Sequence, residues 1–279
     1  MEERTHMPSA DTEQFKTFGF VTWREALSPD EVKQIEDELI VAMEQAYAAT
    51  PFDGTVRHWL PLLSPLTPKI ASLGEDPRFY AKARELVEDD VVLFIVDGNR
   101  YISPTHWHPD GEPTTHGVKF FIYLGNLGAE TGALRVVPGS HKEPFHDAVK
   151  AFAGREDVEV PDIPAYVFNC QPGDVLAFDY PMWHASVGGS KDRRMCTIEY
   201  YKKPATEVEA TSIREHHALI TRAVDETFKR QGFPFYDQAW LDAPDQSDVR
   251  REIVAGMREA GMLDNPANLG LAGAAPATT

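Results

Sequence analysis

VVLFIVD, at residues 91–97, is the first of six short apolar stretches that follow one another along the chain and decide its fold. Each stretch is bounded by Gly, Pro, Asn or Asp, which is the pattern of an all-β sandwich or barrel. No helix-length period separates the stretches, and this argues against parallel βαβ units. The other five are GVKFFIYLGNL (117–127), GALRVVPGS (132–140), AYVFNC (165–170), GDVLAFDY (173–180) and RMCTIEYY (194–201).

Helical patterns flank this β-rich centre on both sides. ALSPDEVKQIEDELIVAMEQAY (26–47) opens with a capping box in which Ser28 is the cap and Glu31 its partner. A second helix is predicted near 76–88, and the chain becomes helical again after Pro204. The pattern indicates a β-barrel or double sheet that is buttressed by helices from both ends of the chain.

The ends of the chain are predicted to be less ordered than its centre. Residues 1–13 are polar and are expected to form a disordered tail, and residues 267–279 a frayed one. FKTFGFVTW (15–23) has the aromatic and β-branched bias of a strand. A chain of 279 residues allows one or two domains. We expect a single domain over 14–266, because the candidate ligands described below need one continuous barrel.

The charge balance excludes some classes of partner. Lys and Arg number 27 against 44 Asp and Glu, so the net charge is −17. This argues against nucleic-acid binding, which needs clustered cations, and disfavours docking on anionic membranes. No apolar run approaches the roughly 18 residues that span a bilayer, and the N-terminus lacks a secretory signal. We expect a cytoplasmic monomer or homodimer whose partner is a small-molecule substrate.

The two cysteines, Cys170 and Cys196, are too few for a disulfide framework or a zinc–thiolate cluster. Both lie in predicted strands, where a buried thiol behaves as a small apolar side chain. We expect both to be structural.

The residues that carry chemistry begin at THWHPDG (105–111), where His108 and Asp110 stand two positions apart. In an extended segment such residues point to the same side, so that both can face one metal. The segment PMWHASVGGSKDRR (181–194) supplies His184 as a third ligand. Two histidines and one carboxylate, with other positions left open, are the ligand set of non-haem Fe(II) oxygenases.

Two further residues follow His184. Arg193 begins the next predicted strand, and a hairpin at Gly188 and Gly189 would return that strand beside His184. An arginine fork binds a carboxylate at two points, and Ser186 could donate its hydroxyl to the same carboxylate. These residues therefore predict a site for the far carboxylate of a keto acid.

Over nearly its whole length the chain resembles the phytanoyl-CoA dioxygenase family of Fe(II)/2-oxoglutarate-dependent oxygenases. The resemblance is carried in order by FGFVTWREALSPDEV (18–32), HWHPDG (106–111), GALRVVPGSHK (132–142) and GDVLAFDYPMWHAS (173–186). It implies a mainly β fold with flanking helices, the double-stranded β-helix (a cupin-like jelly roll). It also implies Fe(II), 2-oxoglutarate and O₂ as co-substrate, with succinate and CO₂ as co-products, and Fe ligation by His108, Asp110 and His184.

The chain departs from the family pattern at the arginine that binds 2-oxoglutarate. The family usually places it about eleven residues after the distal histidine, where this chain has Met195. We therefore expect the turn between His184 and the next strand to be shortened, so that Arg193 or Arg194 takes the place of the family's arginine. Cys196, Ile198 and Tyr200 form an apolar face that can pack on helices, so that the odd-numbered positions should face the barrel interior. This alternation favours Arg193, with Arg194 as the alternative.

The stretch GVKFFIYLGNL does not settle its own orientation, because both of its faces are apolar. If Lys119 and Phe121 face inward, Phe121 resembles the family position that packs on 2-oxoglutarate. Lys119 would then contact cofactor or substrate. The alternative is that Lys119 lies in solvent at the start of a strand.

Substrate contacts are predicted from position and from unpaired charge. Glu112 and Thr114 follow the ligand pair in a segment that commonly lines the mouth of this fold. Arg135 is a charge inside an otherwise apolar strand and needs a partner.

The remaining histidines and tryptophans beside the motifs are read as structural. His106 has no companion carboxylate to make it a ligand, and His141 is assigned to a turn. We interpret His116, His146, His216 and His217 as surface residues, and Trp107 and Trp183 as core residues.

The combined hypothesis is an oxygenase that hydroxylates a small molecule, and analogy with the family favours a substrate from specialised metabolism. Related halogenases have a small residue in place of the carboxylate ligand, so Asp110 argues for hydroxylation. The same cofactors also support desaturation, epoxidation and ring closure. Two other classes remain: a non-catalytic barrel that senses a metal or small acid, and a zinc hydrolase with the same ligands.

Overall fold

The computed structural model describes residues 9–189, 192–265 and 268–270. At its centre are two antiparallel sheets, and side chains from both line one cavity. Helices from both ends of the chain flank the larger sheet. The predicted fold class, mainly β with flanking helices in a double-stranded β-helix, is confirmed.

The two sheets differ in size. In spatial order the larger contains β1 (Phe20–Trp23), β8 (Val175–Phe178), β5 (Gly117–Tyr123), β10 (Arg193–Lys202), β3 (Val91–Tyr101) and β2 (His58–Pro61). The smaller contains β4 (Thr105–His108), β9 (His184–Gly188), β6 (Thr131–Val136) and β7 (Tyr166–Val167). A short parallel pair, β11 (Tyr236–Asp237) and β12 (Leu269–Gly270), lies outside both.

The central strand of the larger sheet, β10, has one face toward the helices and one toward the cavity. Cys196, Ile198 and Tyr200 belong to the apolar core that the larger sheet shares with the helices. The odd-numbered residues from Arg193 to Glu199 line the cavity instead. The alternation predicted for this strand is therefore correct, because successive side chains of a strand point to opposite faces.

Eight α-helices accompany the sheets in the described part of the chain. They are α1 (Ala10–Phe18), α2 (Pro29–Ala46), α3 (Pro68–Ser72), α4 (Tyr80–Val87), α5 (Phe145–Ala153), α6 (Glu207–Thr227), α7 (Gln238–Leu241) and α8 (Asp248–Glu259). The predicted capping box of α2 is present, with Ser28 and Glu31 exchanging hydrogen bonds. Among the described residues, every helix is too short or too polar to cross a bilayer.

The N-terminal segment differs from its prediction. Residues 10–18 form α1 where the sequence suggested a tail to residue 13 and a strand from residue 15. Ser9 caps the helix, since its side chain accepts from the Thr12 N–H, and Gly19 ends it at φ = 82°. Only a glycine adopts this φ readily, so the strand starts at Phe20. Residues 1–8 lie outside the described residues.

Two other boundaries are also corrected. Helix α5 lies between β6 and β7, within the region where no helix was expected. Leu269 and Gly270 pair with β11, although the sequence assigned them to a frayed end. Asn268, in the same predicted tail, is also described and is buried, whereas residue 267 and residues 271–279 fall outside the described residues.

The two cysteines are free and buried, as predicted. Burial raises the pKa of Cys170 to about 12 and that of Cys196 well above its usual range. Both thiols therefore stay protonated and unreactive.

Candidate metal centre

Three candidate metal ligands meet where β4 and β9 pair. His108 is the last residue of β4 and His184 the first of β9, and the two are direct partners across the pair. Asp110 follows in a loop that is anchored by the N–H groups of Asp110 and Gly111, which donate to the Tyr180 carbonyl at 3.0 and 3.1 Å. Oδ1 of Asp110 lies 4.0 Å from Nε2 of His108 and 3.8 Å from Nε2 of His184. Each side chain thus offers one ligand atom, all within 4.8 Å of one another.

Backbone carbonyls orient both imidazoles. Nδ1 of His108 is 2.7 Å from the carbonyl oxygen of His106, and Nδ1 of His184 is 2.9 Å from that of Met182. A carbonyl can only accept, so each Nδ1 carries the proton and each Nε2 keeps its lone pair for a metal. Burial lowers the pKa of His184 to about 3, which keeps that ring neutral. His106 acts through its backbone carbonyl, which orients the His108 ring, while the His106 side chain is exposed.

The carboxylate of Asp110 is ionised and held at one oxygen. Nζ of Lys119 lies 3.0 Å from Oδ2 of Asp110, while Oδ1 is the oxygen near the two histidines. Burial alone would favour the neutral acid, but the Lys119 ammonium and the two imidazoles lower the pKa of Asp110 well below its usual range. The carboxylate therefore presents one oxygen to a metal without needing to lose a proton.

Lys119 belongs to a buried charge network. Its Nζ also lies 3.1 Å from Oε1 of Glu199. Oε1 accepts from the Thr197 hydroxyl and Oε2 from the Tyr180 hydroxyl, at 3.2 Å each. Burial raises the pKa of Glu199 to about 7, and the neighbouring carboxylates raise that of Lys119 despite its burial. The alternative that placed Lys119 in solvent is wrong, since only 16% of its side chain is exposed.

Arg193 lies in the same cavity with its guanidinium buried. Its Nη1 donates to the Gly132 carbonyl at 2.9 Å and to Ser186 Oγ at 3.1 Å, and its Cζ is 4.7 Å from the centre of the Tyr101 ring. A Cβ at position 132 would fall 2.3 Å from Nη1, so glycine makes room for the fork. Nε of Arg193 is buried without a hydrogen-bond partner among the described residues. An orphaned donor of this kind fits an anionic ligand.

The route by which Arg193 reaches Ser186 differs from the predicted hairpin. Strand β9 belongs to the smaller sheet and β10 to the larger, so the two residues approach each other across the barrel. Arg194 points the other way and pairs with Glu36 at 2.7 Å. Of the two candidate arginines, only Arg193 lines the cavity.

The cavity between the sheets has a volume of about 210 Å³. Phe121 lines it, as the inward orientation of β5 requires, with its ring centre 6.5 Å from that of His184 and 5.3 Å from Nζ of Lys119. The candidate ligands and Arg193 therefore line one cavity, at whose solvent side the exposed His108 lies. The cavity is also lined by Arg57, Trp59, Phe94, Ile95, Asp97, Asn99, Tyr123, Leu134, Ile220 and Val224.

The three predicted substrate contacts do not line this cavity. Glu112 is exposed, with Lys150 3.9 Å away, and Thr114 is exposed beside Ser212. Arg135 points away from the cavity and finds its partners nearby, at the Ala129 carbonyl and more distantly at Glu130. These contacts pair part of the guanidinium, while its buried Nε has no hydrogen-bond partner among the described residues.

Sequence reasoning missed a polar row on β3. Asp97, Asn99 and Tyr101 line the cavity, and Asn99 donates to Asp97 at 2.9 Å and accepts from Arg57. Burial raises the pKa of Asp97. The signal was available, because these residues alternate at the end of an apolar strand, as Thr197 and Glu199 do on β10.

The histidines read as surface residues are mostly not on the surface. His146 and His217 are buried. His216 lines the cavity, and its Nε2 lies 2.7 Å from the Asp110 carbonyl. His116 is exposed, as predicted, and its Nδ1 pairs with Asp179 at 2.7 Å. By contrast His141 and Trp183 are buried, in agreement with the structural roles predicted for them.

Two facing antiparallel sheets with a two-histidine, one-carboxylate cluster inside define a class of cupin-like proteins with a candidate mononuclear metal centre. The family model described as Phytanoyl-CoA dioxygenase (PhyH) matches residues 15–196 of this chain. This is well over half of the sequence, and the chain belongs to the phytanoyl-CoA dioxygenase family. A search of curated proteins found no significant match.

Solved structures share the fold. HygX from Streptomyces hygroscopicus, with nickel and 2-oxoglutarate bound, has a TM-score of 0.60 at 23% identity, over 72% of this chain and 89% of that one. The non-heme alpha ketoglutarate dependent epimerase SnoN from nogalamycin biosynthesis has a TM-score of 0.55 at 18% identity, over 69% and 81%. EvdO2 from Micromonospora carbonacea var. aurantiaca, complexed with 2-oxoglutarate, has a TM-score of 0.54 at 20% identity, over 74% and 95%.

Proposed function

We propose that this protein is an Fe(II)/2-oxoglutarate-dependent oxygenase that hydroxylates a small molecule. The observation that carries the proposal is the convergence of His108, Asp110 and His184, in which one carboxylate oxygen lies 4.0 and 3.8 Å from the two Nε2 atoms. Two neutral imidazoles and one ionised carboxylate suit Fe(II). Family membership and the 2-oxoglutarate complexes of HygX and EvdO2 support the same assignment.

In this proposal Arg193 and Ser186 bind the far carboxylate of 2-oxoglutarate. The guanidinium Nε is buried and has no hydrogen-bond partner among the described residues, and Nη1 donates to Ser186 Oγ. A dicarboxylate would neutralise Arg193 and supply the missing acceptor. Phe121 would pack on the carbon chain of the same ligand. Lys119, first predicted to contact cofactor or substrate, would instead act through Asp110 by holding its second oxygen.

When bound, iron with 2-oxoglutarate and O₂ supplies the oxidising power, and succinate and CO₂ are the co-products. The side chains of this protein supply placement. The carbonyls of His106 and Met182 fix the imidazoles, and Lys119 keeps Asp110 ionised and oriented. Apolar side chains such as Phe94 and Ile95 supply part of the cavity wall on which an apolar part of a substrate would pack.

Hydroxylation is proposed because the chain keeps a carboxylate at Asp110, where related halogenases have a small residue. A second outcome with the same cofactors, such as ring closure or another oxidation, is favoured by the neighbours. SnoN is an epimerase, and SnoK, at a TM-score of 0.53 and 19% identity, is a carbocyclase. Both come from nogalamycin biosynthesis, which supports a specialised metabolite as the substrate class.

Succinate release tests the proposal without a known substrate. The purified protein should convert 2-oxoglutarate to succinate slowly when Fe(II) and O₂ are supplied, and the Asp110→Ala variant should not. Tight metal binding with no succinate under any condition would favour a sensor, and hydrolysis with zinc but not iron would favour a hydrolase. A substrate screen by mass would then separate a gain of 16 mass units from a loss of 2.

A further inference from the structure

The candidate ligand Asp110 forms a hydrogen bond with a residue in the part of the chain that the family model does not cover. His216 lies in α6, beyond the matched residues 15–196. Its Nε2 is 2.7 Å from the backbone oxygen of Asp110. Helix α6 is tied to the same loop a second time, because the hydroxyls of Ser212 and Thr115 are 2.8 Å apart.

The direction of the hydrogen bonds defines the state of the imidazole. The Asp110 carbonyl can only accept, so Nε2 of His216 must carry a proton and donate it. Nδ1 of the neutral ring then accepts from the hydroxyl of Tyr201, which lies 2.6 Å away. The Tyr201 hydroxyl therefore stabilises the tautomer in which Nε2 of His216 donates to the Asp110 carbonyl.

His216 completes a three-point attachment of Asp110. The N–H of Asp110 donates to the Tyr180 carbonyl, Oδ2 forms an ion pair with the Lys119 ammonium, and the carbonyl accepts from His216. Together these bonds restrict rotation of the backbone on both sides of Cα and rotation of the carboxylate. Without His216 the peptide that follows Asp110 loses its support from α6, and the carboxylate oxygen that faces the histidines is no longer fixed.

The same face of α6 also lines the cavity. Ile220 and Val224 follow His216 at intervals of four residues, and all three side chains contribute to the cavity wall. Residues four apart lie on one face of a helix. A molecule that moves α6 would therefore also move the bond to Asp110.

We propose that His216 is a positioning residue that fixes the metal ligand Asp110 through its backbone, with Tyr201 holding the imidazole tautomer. The proposal rests on the proposed function, in that Asp110 ligates a metal. It assigns to α6 a role in the metal centre as well as in the substrate wall. Removal of outer hydrogen-bond partners of metal ligands typically weakens metal binding about 10- to 100-fold.

Anaerobic titration with Co(II) tests this inference, with visible absorption reporting both affinity and ligand geometry. His216→Phe keeps a ring but removes the donor, and it should weaken Co(II) binding about 10- to 100-fold and change the spectrum. His216→Gln keeps an N–H donor at similar reach and should restore most of the affinity. The matched control is His217→Phe, since His217 is the adjacent buried histidine and contacts Tyr236 Oη at 3.0 Å. It should lower the Tm and leave Co(II) affinity unchanged.

Tyr201→Phe provides a second test that removes a single hydroxyl, in case His216→Phe does not fold. It should weaken Co(II) binding less than His216→Phe does, because the imidazole stays in place. Unchanged Co(II) affinity and spectrum in folded His216→Phe, or in Tyr201→Phe if the first variant is unfolded, would overturn the inference. Failure of the unaltered protein to bind Co(II) would instead overturn the proposed function.

Discussion

Nζ of Lys119 lies 3.0 Å from Oδ2 of Asp110, so that a buried ammonium holds one oxygen of the carboxylate whose other oxygen faces two histidines. The pair connects β5 of the larger sheet to the loop after β4 of the smaller one. Residues from both sheets therefore build the candidate metal centre. The charge on Asp110 is thus set by tertiary contacts rather than by its neighbours in sequence.

Loss of Lys119 should destabilise the protein. Lys119→Met leaves Asp110 and Glu199 buried without their cation, and breaking a buried pair in this way typically lowers the free energy of unfolding by about 3 kcal/mol or more. Urea denaturation of the metal-free protein measures the change. The control is Lys33→Met, which removes an exposed pair with Asp37 on α2 and should have no measurable effect. Equal stability of Lys119→Met and the unaltered protein would contradict the assigned role of this ammonium.

Metal binding should depend on the side chains of the candidate ligands and not on that of His106. His108→Ala and Asp110→Ala each remove one of three ligands and should abolish Fe(II) binding, measured by anaerobic calorimetry. His106→Ala removes an exposed imidazole but keeps the carbonyl that orients His108. We expect this variant to bind Fe(II) as the unaltered protein does, and loss of binding there would show that His106 was wrongly excluded.

The KM for 2-oxoglutarate should depend on the side chain of Arg193. Hydrogen bonds to a charged group contribute about 1.5–3 kcal/mol, so that Arg193→Ala should raise the KM for 2-oxoglutarate about 10- to 150-fold in the succinate assay. Arg194→Ala removes half-buried ion pairs with Glu36 and Asp192 that lie outside the cavity and should leave the KM unchanged. The reverse pattern would show that the strand phase assigned to β10 does not identify the anion-binding arginine.

Acid should destabilise the protein through His217. Burial lowers the pKa of His217 to about 4, against 6.5 in an unfolded chain. Below pH 6.5 the unfolded state binds the proton first, so the free energy of unfolding falls as the pH decreases from 6.5 toward 4. The contribution is up to about 3 kcal/mol across this window.

The matched comparison is between the unaltered protein and His217→Gln, by urea denaturation at pH 7 and pH 4.5. The variant should lose less stability between these values, because it has no imidazole to protonate at that position. Parallel losses in the two proteins would show that His217 is not kept neutral by the fold.

Much of the strand pattern was predictable because strands carry a local signal. Side chains alternate between two faces, and Cys196, Ile198 and Tyr200 marked the face of β10 that packs on helices, which placed Arg193 on the other. The capping box at Ser28 and Glu31 was equally local. The same alternation on β3 would have identified Asp97 and Asn99 as cavity residues.

The errors arose where distant residues decide the environment. Arg135 reads as a cavity residue, but packing of the smaller sheet turns the neighbouring Leu134 toward the cavity and leaves Arg135 on the opposite side of β6. His216 and His217 lie in a polar helix, and nothing in that pattern shows which face meets the barrel. The hairpin proposed to bring Arg193 to Ser186 assumed that successive strands pair, whereas these two belong to opposite sheets.

By itself the sequence determined the fold class, the family and the three candidate ligands. Apolar periodicity and motif spacing are properties of neighbouring residues, and His108 and Asp110 are only two positions apart. The tertiary structure alone decided that Lys119 pairs with Asp110, that Arg193 crosses the barrel to Ser186 and that His216 supports the ligand loop. The physical reason is that each of these contacts joins residues from different sheets or from a helix far along the chain. Their geometry depends on how those elements pack, and the local sequence pattern does not predict that packing.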